Sequence, residues 1–447
     1  MHHDNSGLKR KAILGKVMDS QILSSQTATA MEAPAAHNSR VPAVIGVEPW
    51  SWKGDDNNGN MIHAAAARRM ISKYVEFQRP GEWTDADIEQ LRSENSHIVF
   101  VTANLIRLGV PGDHHTIKDL VGSQVPLAKN IERAALPVVV FGLGSQAGLS
   151  GPLELTVAPE TVRLLKVISE HSRKIAVRGV FTAEACVRLG VKNVEVVGCQ
   201  SMFWHRLPQF SKLCDAVADP LDRIAFNFTD ARFEANLINQ AIANGYDVIG
   251  QGNVAEEDLK AQKSDASALE PVEFSWDVGV ALEQDLIDRG QYEQWIRDHF
   301  FQFHEPEVWL NHMRRYSFSY GTRLHGNMAA MIAGARALWI VHDMRLKEVC
   351  DHFRLPSIEL KEVRAGVNLE SLYDRADYSR CNQIYPERYR TLFDYVDSAG
   401  LPHSLPRPVD ATGPHATEVV GDPDARADFA GEGRCHRGFV RGAALRL

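Results

Sequence analysis

Two hydrophobic patterns alternate along this chain. Short runs rich in Val, Ile and Phe read as buried strands: Val41–Val47, His97–Thr102, Leu136–Phe141, Lys174–Val177, Val194–Val197, Arg223–Phe228, Tyr246–Ile249 and Ala337–Val341. Between them, apolar residues recur at helical spacing over Met61–Tyr74, the segment after Thr84, Val125–Ala134, Thr161–His171, Thr182–Leu189 and Ala231–Asn244. Further helices are expected across Gln291–Tyr316 and over Glu387–Val396, just after Pro386. Strands alternating with helices predict parallel sheets covered on both faces. Residues 1–40 are polar with no sustained period and read as a disordered arm; residues 400–447 are rich in Pro, Gly and Asp and read as a disordered tail. The pattern also fails across Phe203–Pro220, which divides the chain into an N-terminal α/β domain (41–206), a linker (207–220) and a C-terminal α/β domain (221–399).

The C-terminal half holds the stretch with the most chemical content. Phe318-Ser-Tyr-Gly-Thr-Arg-Leu-His-Gly326 reads as a strand end and a polar turn, and the small-residue sequence Asn327–Ala335 continues it as a helix. Arg323 and His325 sit where the turn enters that helix. A helix N-terminus offers unpaired N–H groups and a positive dipole end to an anionic oxygen, and an arginine adds a planar fork for phosphate or carboxylate. Arg178 follows a strand directly in the other half. A cation beside the positive end of a dipole is unfavourable unless an anion joins it. Ligands of open α/β sheets bind at the carboxyl ends of the strands. Two sheets facing each other would therefore aim both arginines into one cleft. Arg345 is a third candidate, although Glu348 three residues on offers it an ordinary helical partner.

A formal charge of -8 argues against a general nucleic-acid binder, which would carry a basic excess. The six cysteines form no C-x-x-C pair, as expected for reduced thiols rather than a disulfide frame or zinc knuckle. The apolar run near Ile13-Leu14 is too brief for a signal-peptide core, and no stretch reaches membrane-spanning length, so a cytoplasmic protein is expected.

Several tempting motifs have plainer readings. Gly142-Leu-Gly144-Ser-Gln-Ala-Gly148 has Ala147 where a dinucleotide fingerprint needs its third glycine, and reads as a tight turn bordering the cleft. Asp85-Ala-Asp87 looks like a metal-holding D-x-D, but Thr84 and Asp87 have capping-box spacing. His114-His115 lack a spaced partner, His304 and His312 lie eight residues apart, and Cys199 reads as a buried structural thiol. No metal site is expected.

Gly321-Thr-Arg-Leu-His-Gly326 with its small-residue helix, and Met344-Arg345 before Leu355-Pro356, resemble the C-terminal signature of the polysaccharide pyruvyl transferase family. Ala176-Val-Arg-Gly-Val-Phe-Thr182 through Gly190–Gly198 is similar to its middle signature, and Asn57-Asn-Gly-Asn60 is a weaker third match. One departure is Gln200, where the family usually has proline. The resemblance implies two Rossmann-like domains facing a central cleft, as in the GT-B glycosyltransferase architecture. It implies transfer of a pyruvyl group from phosphoenolpyruvate, the co-substrate, to two hydroxyls of a sugar in a cell-surface or exopolysaccharide precursor, forming a ketal without a further cofactor. It carries over Arg178, Arg323, Leu324 (through its backbone) and His325 as donor-binding residues, with Arg345 beside them. His325 is the candidate general acid or donor to the leaving phosphate. Asn57, Asn58, Asn60 and Gln146 are candidates for the sugar or lipid-linked oligosaccharide acceptor, and a lipid-linked acceptor would bring the protein to the inner membrane face. The alternatives are a nucleotide-sugar glycosyltransferase of the same architecture and a non-catalytic sugar-binding homologue.

Overall fold

The computed structural model describes residues 40–49, 57–108, 114–149, 157–209, 221–262 and 272–408. The expected arm up to residue 39, residues 210–220 of the expected linker, and the tail from 409 lie outside them.

Two parallel sheets organise the chain. In the N-terminal half, β1 (Val41–Gly46), β2 (Val75–Glu76), β3 (Asn95–Val101) and β5 (Val138–Phe141) pair in the order β2-β1-β3-β5. A parallel bridge from Leu143 to Val177 carries this sheet on to β7 (Ile175–Val177) and β8 (Val194–Val196). Two short strands, β4 (Ile106–Arg107) and β6 (Ser145–Gln146), pair at its carboxyl end.

The C-terminal sheet is formed by β9 (Ile224–Asn227), β10 (Asp247–Ile249), β11 (Phe300–Phe301), β12 (Phe318–Gly321), β13 (Arg336–Val341) and β14 (Ser357–Glu359). Their order is β11-β10-β9-β12-β13-β14, all parallel, which is the doubly wound dinucleotide-fold order with its switch point between β9 and β12. The strands are almost wholly buried, which is why they read as continuous apolar runs.

Local chemistry fixes the connections. Asp230 caps the helix Ala231–Asn244 by accepting from Arg232 N, and Gly245 ends it in the left-handed region. At Gly321 (φ +143) a Cβ would lie 1.8 Å from Asn227 O, so only glycine lets β12 close against β9 there. Two alanine-rich helices, Gly59–Met70 and Leu324–Ala333, are buried on nearly every face and belong to one apolar cluster joining the two sheets. The capping box at Thr84–Asp87 is present, and Asp85 pairs with Arg133 at 2.6 Å.

Three expectations need correction. The last helix starts at Ser379 and carries Pro386 inside it. It leaves the C-terminal sheet and packs on the N-terminal domain: Tyr395 Oη donates to Val140 O (2.8 Å) and accepts from Val140 N (2.9 Å), and Arg173 donates to Ser398 O. The chain just past Gly400 is packed as well, with Leu401 and Leu405 buried and His403 bridged to Ile71. His114-His115 open the helix His114–Ala134.

Candidate active site

The carboxyl ends of both sheets meet at a solvent-open cavity. Its walls include Asn57, Asn60, Asn104 and Arg178 from the N-terminal half, and Thr229, Gln251, Thr322, Arg323, Leu324, His325, His342, Arg345 and Leu346 from the other. Three arginines and two histidines line it, with no carboxylate among these residues. Two helix N-termini, at Asn58 and Arg323, converge here without a capping side chain, so their positive ends face the same space.

The C-terminal wall is braced from behind. Asn227, fully buried at the end of β9, accepts from Arg323 N (2.8 Å) and donates to Asn327 Oδ1 (2.9 Å). Asn327 also accepts from Ser319 and donates to the carbonyls of Gly321 and Leu338. Arg323 Nε donates to Phe228 O at 2.8 Å, which aims the rest of the guanidinium outward. Beneath the turn, Glu234 accepts from Thr229 N, Asp230 N and Thr322 Oγ1. Burial lifts its carboxyl to about 7 despite those bonds and Arg323. Burial also lowers the Arg323 pKa from its ordinary value, against the pull of Glu234.

Arg178 is held differently. It is 2% exposed, yet Nε and Nη2 have no partner, and Nη1 reaches Asn104 Oδ1 at only 3.4 Å. A buried guanidinium left this way is costly unless a ligand completes it.

Arg345 pairs with Asp343 (Nε to Oδ2 2.5 Å). The helical pairing with Glu348 is not formed. Glu348 crosses the domain boundary instead, accepting from Thr182 N (3.0 Å) and Thr182 Oγ1 (2.8 Å). Its carboxyl is raised to about 7 by burial, which outweighs the Thr182 bonds and Arg178.

His325 forms part of the cavity floor. Its Nε2 is 3.7 Å from Cys199 Sγ, and its ring stacks on that of His63 with centroids 5.3 Å apart. Burial, with Arg178 and Arg345 adding to it, holds the His325 imidazole well below its ordinary pKa. It is neutral near pH 7 while the cavity holds no anion. Cys199 therefore has a histidine neighbour that its sequence surroundings did not reveal.

Of the expected acceptor residues, Asn57 and Asn60 line the cavity. Asn58 is buried and turned away, donating to Phe303 O, and Gln146 is paired with Arg107 in the β4–β6 ladder, outside the lining. Asn104, Thr229, Gln251, Thr322, His342 and Leu346 complete the wall, and sequence reasoning did not single them out. Each sits just past a strand end or opens a helix, which is the signal that could have found them. Gln251 wedges between the two helix starts: a Cβ on Gly59 would lie 2.3 Å from its Oε1, and one on Gly326 2.8 Å from its Nε2. Among the described residues no group of three His, Cys, Asp or Glu side chains is placed to hold a metal ion, and no helix is long and apolar enough to cross a membrane.

Fold and site together define a two-domain α/β protein with a cationic cleft between facing sheets. A family model for polysaccharide pyruvyl transferase matches residues 44–344, and the chain belongs to that family. No curated protein matches the sequence. Solved structures similar to this chain include a functionally uncharacterised protein from Klebsiella pneumoniae (12% identity, covering 78% of this chain and 95% of that one, TM-score 0.32). They also include UDP-N-acetylglucosamine 2-epimerase from Rickettsia bellii (10% identity, covering 80% of this chain and 97% of that one, TM-score 0.38). A third is UDP-GlcNAc 2-epimerase from Neisseria meningitidis bound to UDP-GlcNAc (10% identity, 80% of this chain and 100% of that one, TM-score 0.41).

Proposed function

We propose that this transferase moves the pyruvyl group of phosphoenolpyruvate onto two hydroxyls of a sugar in a cell-surface or exopolysaccharide precursor, forming a cyclic ketal. The observation that carries the reading is the set of guanidinium donors around an acid-free cavity, above all the two unpartnered nitrogens of buried Arg178. A donor with a phosphate and a carboxylate supplies two anionic ends to Arg178 on one wall and Arg323 with Arg345 on the other. The Leu324 N–H, at the start of its helix, offers a further donor.

His325 is the proposed acid. Bound phosphate opposes the burial and the two arginines that keep the ring neutral, so donor binding would bring a proton with it. The imidazolium passes that proton to the methylene carbon, which becomes a methyl group, and the adjacent carbon accepts the first sugar hydroxyl. The bond from that carbon to the phosphate oxygen breaks, inorganic phosphate leaves, and the second hydroxyl closes the ring. The two hydroxyl protons leave to the neutral His325 and to phosphate, which balances the reaction. Asn57, Asn60 and Gln251, neutral and polar, are suited to sugar hydroxyls.

The test is phosphate release on incubation with phosphoenolpyruvate and a panel of free and lipid-linked sugars, with UDP-sugars run in parallel. Phosphate release dependent on an acceptor, with a ketal in the product, is expected. Turnover of a UDP-sugar without use of phosphoenolpyruvate would overturn the reading.

A further inference from the structure

Below His325 lies a group that the reaction above does not use. His63, from the helix Gly59–Met70, is 0% exposed and stacked on His325 with an interplanar angle of 28°. Its Nδ1 is 2.8 Å from Gln200 Nε2, while its Nε2 has no partner. Gln200 is itself 1% exposed, and the carboxamide is wedged against Gly142, where a Cβ would lie 3.0 Å from its Nε2. An amide N–H can donate only to a lone pair. In this orientation of the amide, which leaves Gln200 Oε1 without a partner, the contact places the His63 proton on Nε2 and leaves Nδ1 as an acceptor. Charging His63 would sacrifice that bond and bury a second cation beside Arg178 and His325. Arg68, on the same helix, is occupied by Glu76.

We propose that His63 and Gln200 are positioning residues for His325: Gln200 fixes the His63 tautomer, and the neutral His63 ring is the surface that orients His325 and leaves it as the one imidazole of the pair that takes up a proton. The groups facing the pair are Arg178, Arg345, Cys199 and, behind His63, Arg68. None of them is a carboxylate, so the charge needed to protonate His325 comes with the ligand. This deepens the pyruvyl-transfer reading and rests on it for the role of His325.

The test uses the full chain with ¹⁵N-labelled histidine, His63 and His325 being assigned from the spectra of His63→Phe and His325→Gln. In the unsubstituted protein, His63 is expected to show an unprotonated Nδ1 and a protonated Nε2 from about pH 5.5 to 9, before and after phosphoenolpyruvate is added. Gln200→Glu presents only acceptors, so His63 should protonate at Nδ1 and become charged. The alkaline limb of turnover should then fall to lower pH by about one unit, with donor affinity changed less than about threefold. His63→Phe with Gln200 unchanged should leave the limb in place, because the ring surface stays and no charge is added. A protonated Nδ1 in the unsubstituted protein, or an unmoved limb in folded Gln200→Glu, would overturn the proposal. So would His63→Phe as inactive as His325→Gln, since His63 would then move the proton itself. If Gln200→Glu does not fold, Gln200→Met removes the donor without a charge and should release the tautomer; an unchanged Nδ1 signal overturns the idea. Failure of the acid reading shows separately, as turnover retained by His325→Gln.

Discussion

The two walls of the cleft hold their arginines by opposite means. Arg323 is braced by Asn227 and the Phe228 carbonyl, in a network whose donors and acceptors are satisfied before any ligand arrives. Arg178 is more deeply buried, but two of its nitrogens are unpaired. One wall is satisfied as it stands; the other stores an unmet demand that an anion would relieve. An anion would gain affinity at the first from geometry and at the second from removing a penalty.

The largest effects should follow from breaking the braced side. Arg323→Ala should weaken phosphoenolpyruvate binding by roughly 2–4 kcal/mol in calorimetry, and Arg323→Lys should not fully restore it, because a point charge lacks the fork. His325→Gln should lower turnover by on the order of 100-fold while leaving donor affinity less affected. Loss of donor binding with near-normal turnover at saturation would make His325 a phosphate ligand instead.

Stability separates the walls by sign. Asn227→Ala should destabilise the free protein by roughly 2–3 kcal/mol in denaturant unfolding, since it orphans Arg323 N and removes one of the two donors to Asn327 Oδ1. Arg178→Met should leave the free protein as stable or stabilise it by about 1–2 kcal/mol, while weakening donor binding. A loss of stability in Arg178→Met would mean that the guanidinium is satisfied without ligand.

A smaller effect concerns Glu348, which joins the walls. Its folded pKa of about 7 exceeds the ordinary 4.5. The folded state therefore holds the proton longer, and this group's contribution to stability falls as pH rises from about 4.5 to 7, by at most about 3 kcal/mol. Glu348→Gln should flatten that part of the melting-temperature profile; an unchanged slope would assign it to Glu234 and other groups. The smallest expected effect is none: exhaustive chelation should leave phosphate release intact. Recovery only on adding a divalent ion would return Asp85 and Asp87 to consideration as ligands.

The alternation of strand and helix was legible because both sheets are parallel and buried, so each strand announces itself as a run. The placement of Arg178, Arg323 and His325 on the cavity wall was legible because the two arginines follow strand ends and His325 opens the helix after one. His63 was not, since a histidine within His63-Ala-Ala-Ala-Ala67 has no local partner and gains its role only from His325 and Gln200, both distant in sequence. Pro386 misled for a related reason. It reads as a helix start, yet buried Cys381 and Tyr385 hold the preceding turns in place. Glu348 lies at helical spacing from Arg345, but Thr182 and Asp343 compete for the two partners and win.

The final helix has a practical consequence for dividing the molecule. Tyr395 closes both backbone groups of Val140 in the middle of the N-terminal sheet, using a residue that the chain supplies only after completing the other domain. A fragment ending near Arg206 would carry that strand with its pairing groups uncovered, as an adhesive edge for other copies. The separable unit is therefore not the first half of the gene. It is the first half together with residues 379–408 supplied as a second piece, and the two should reassemble when co-expressed.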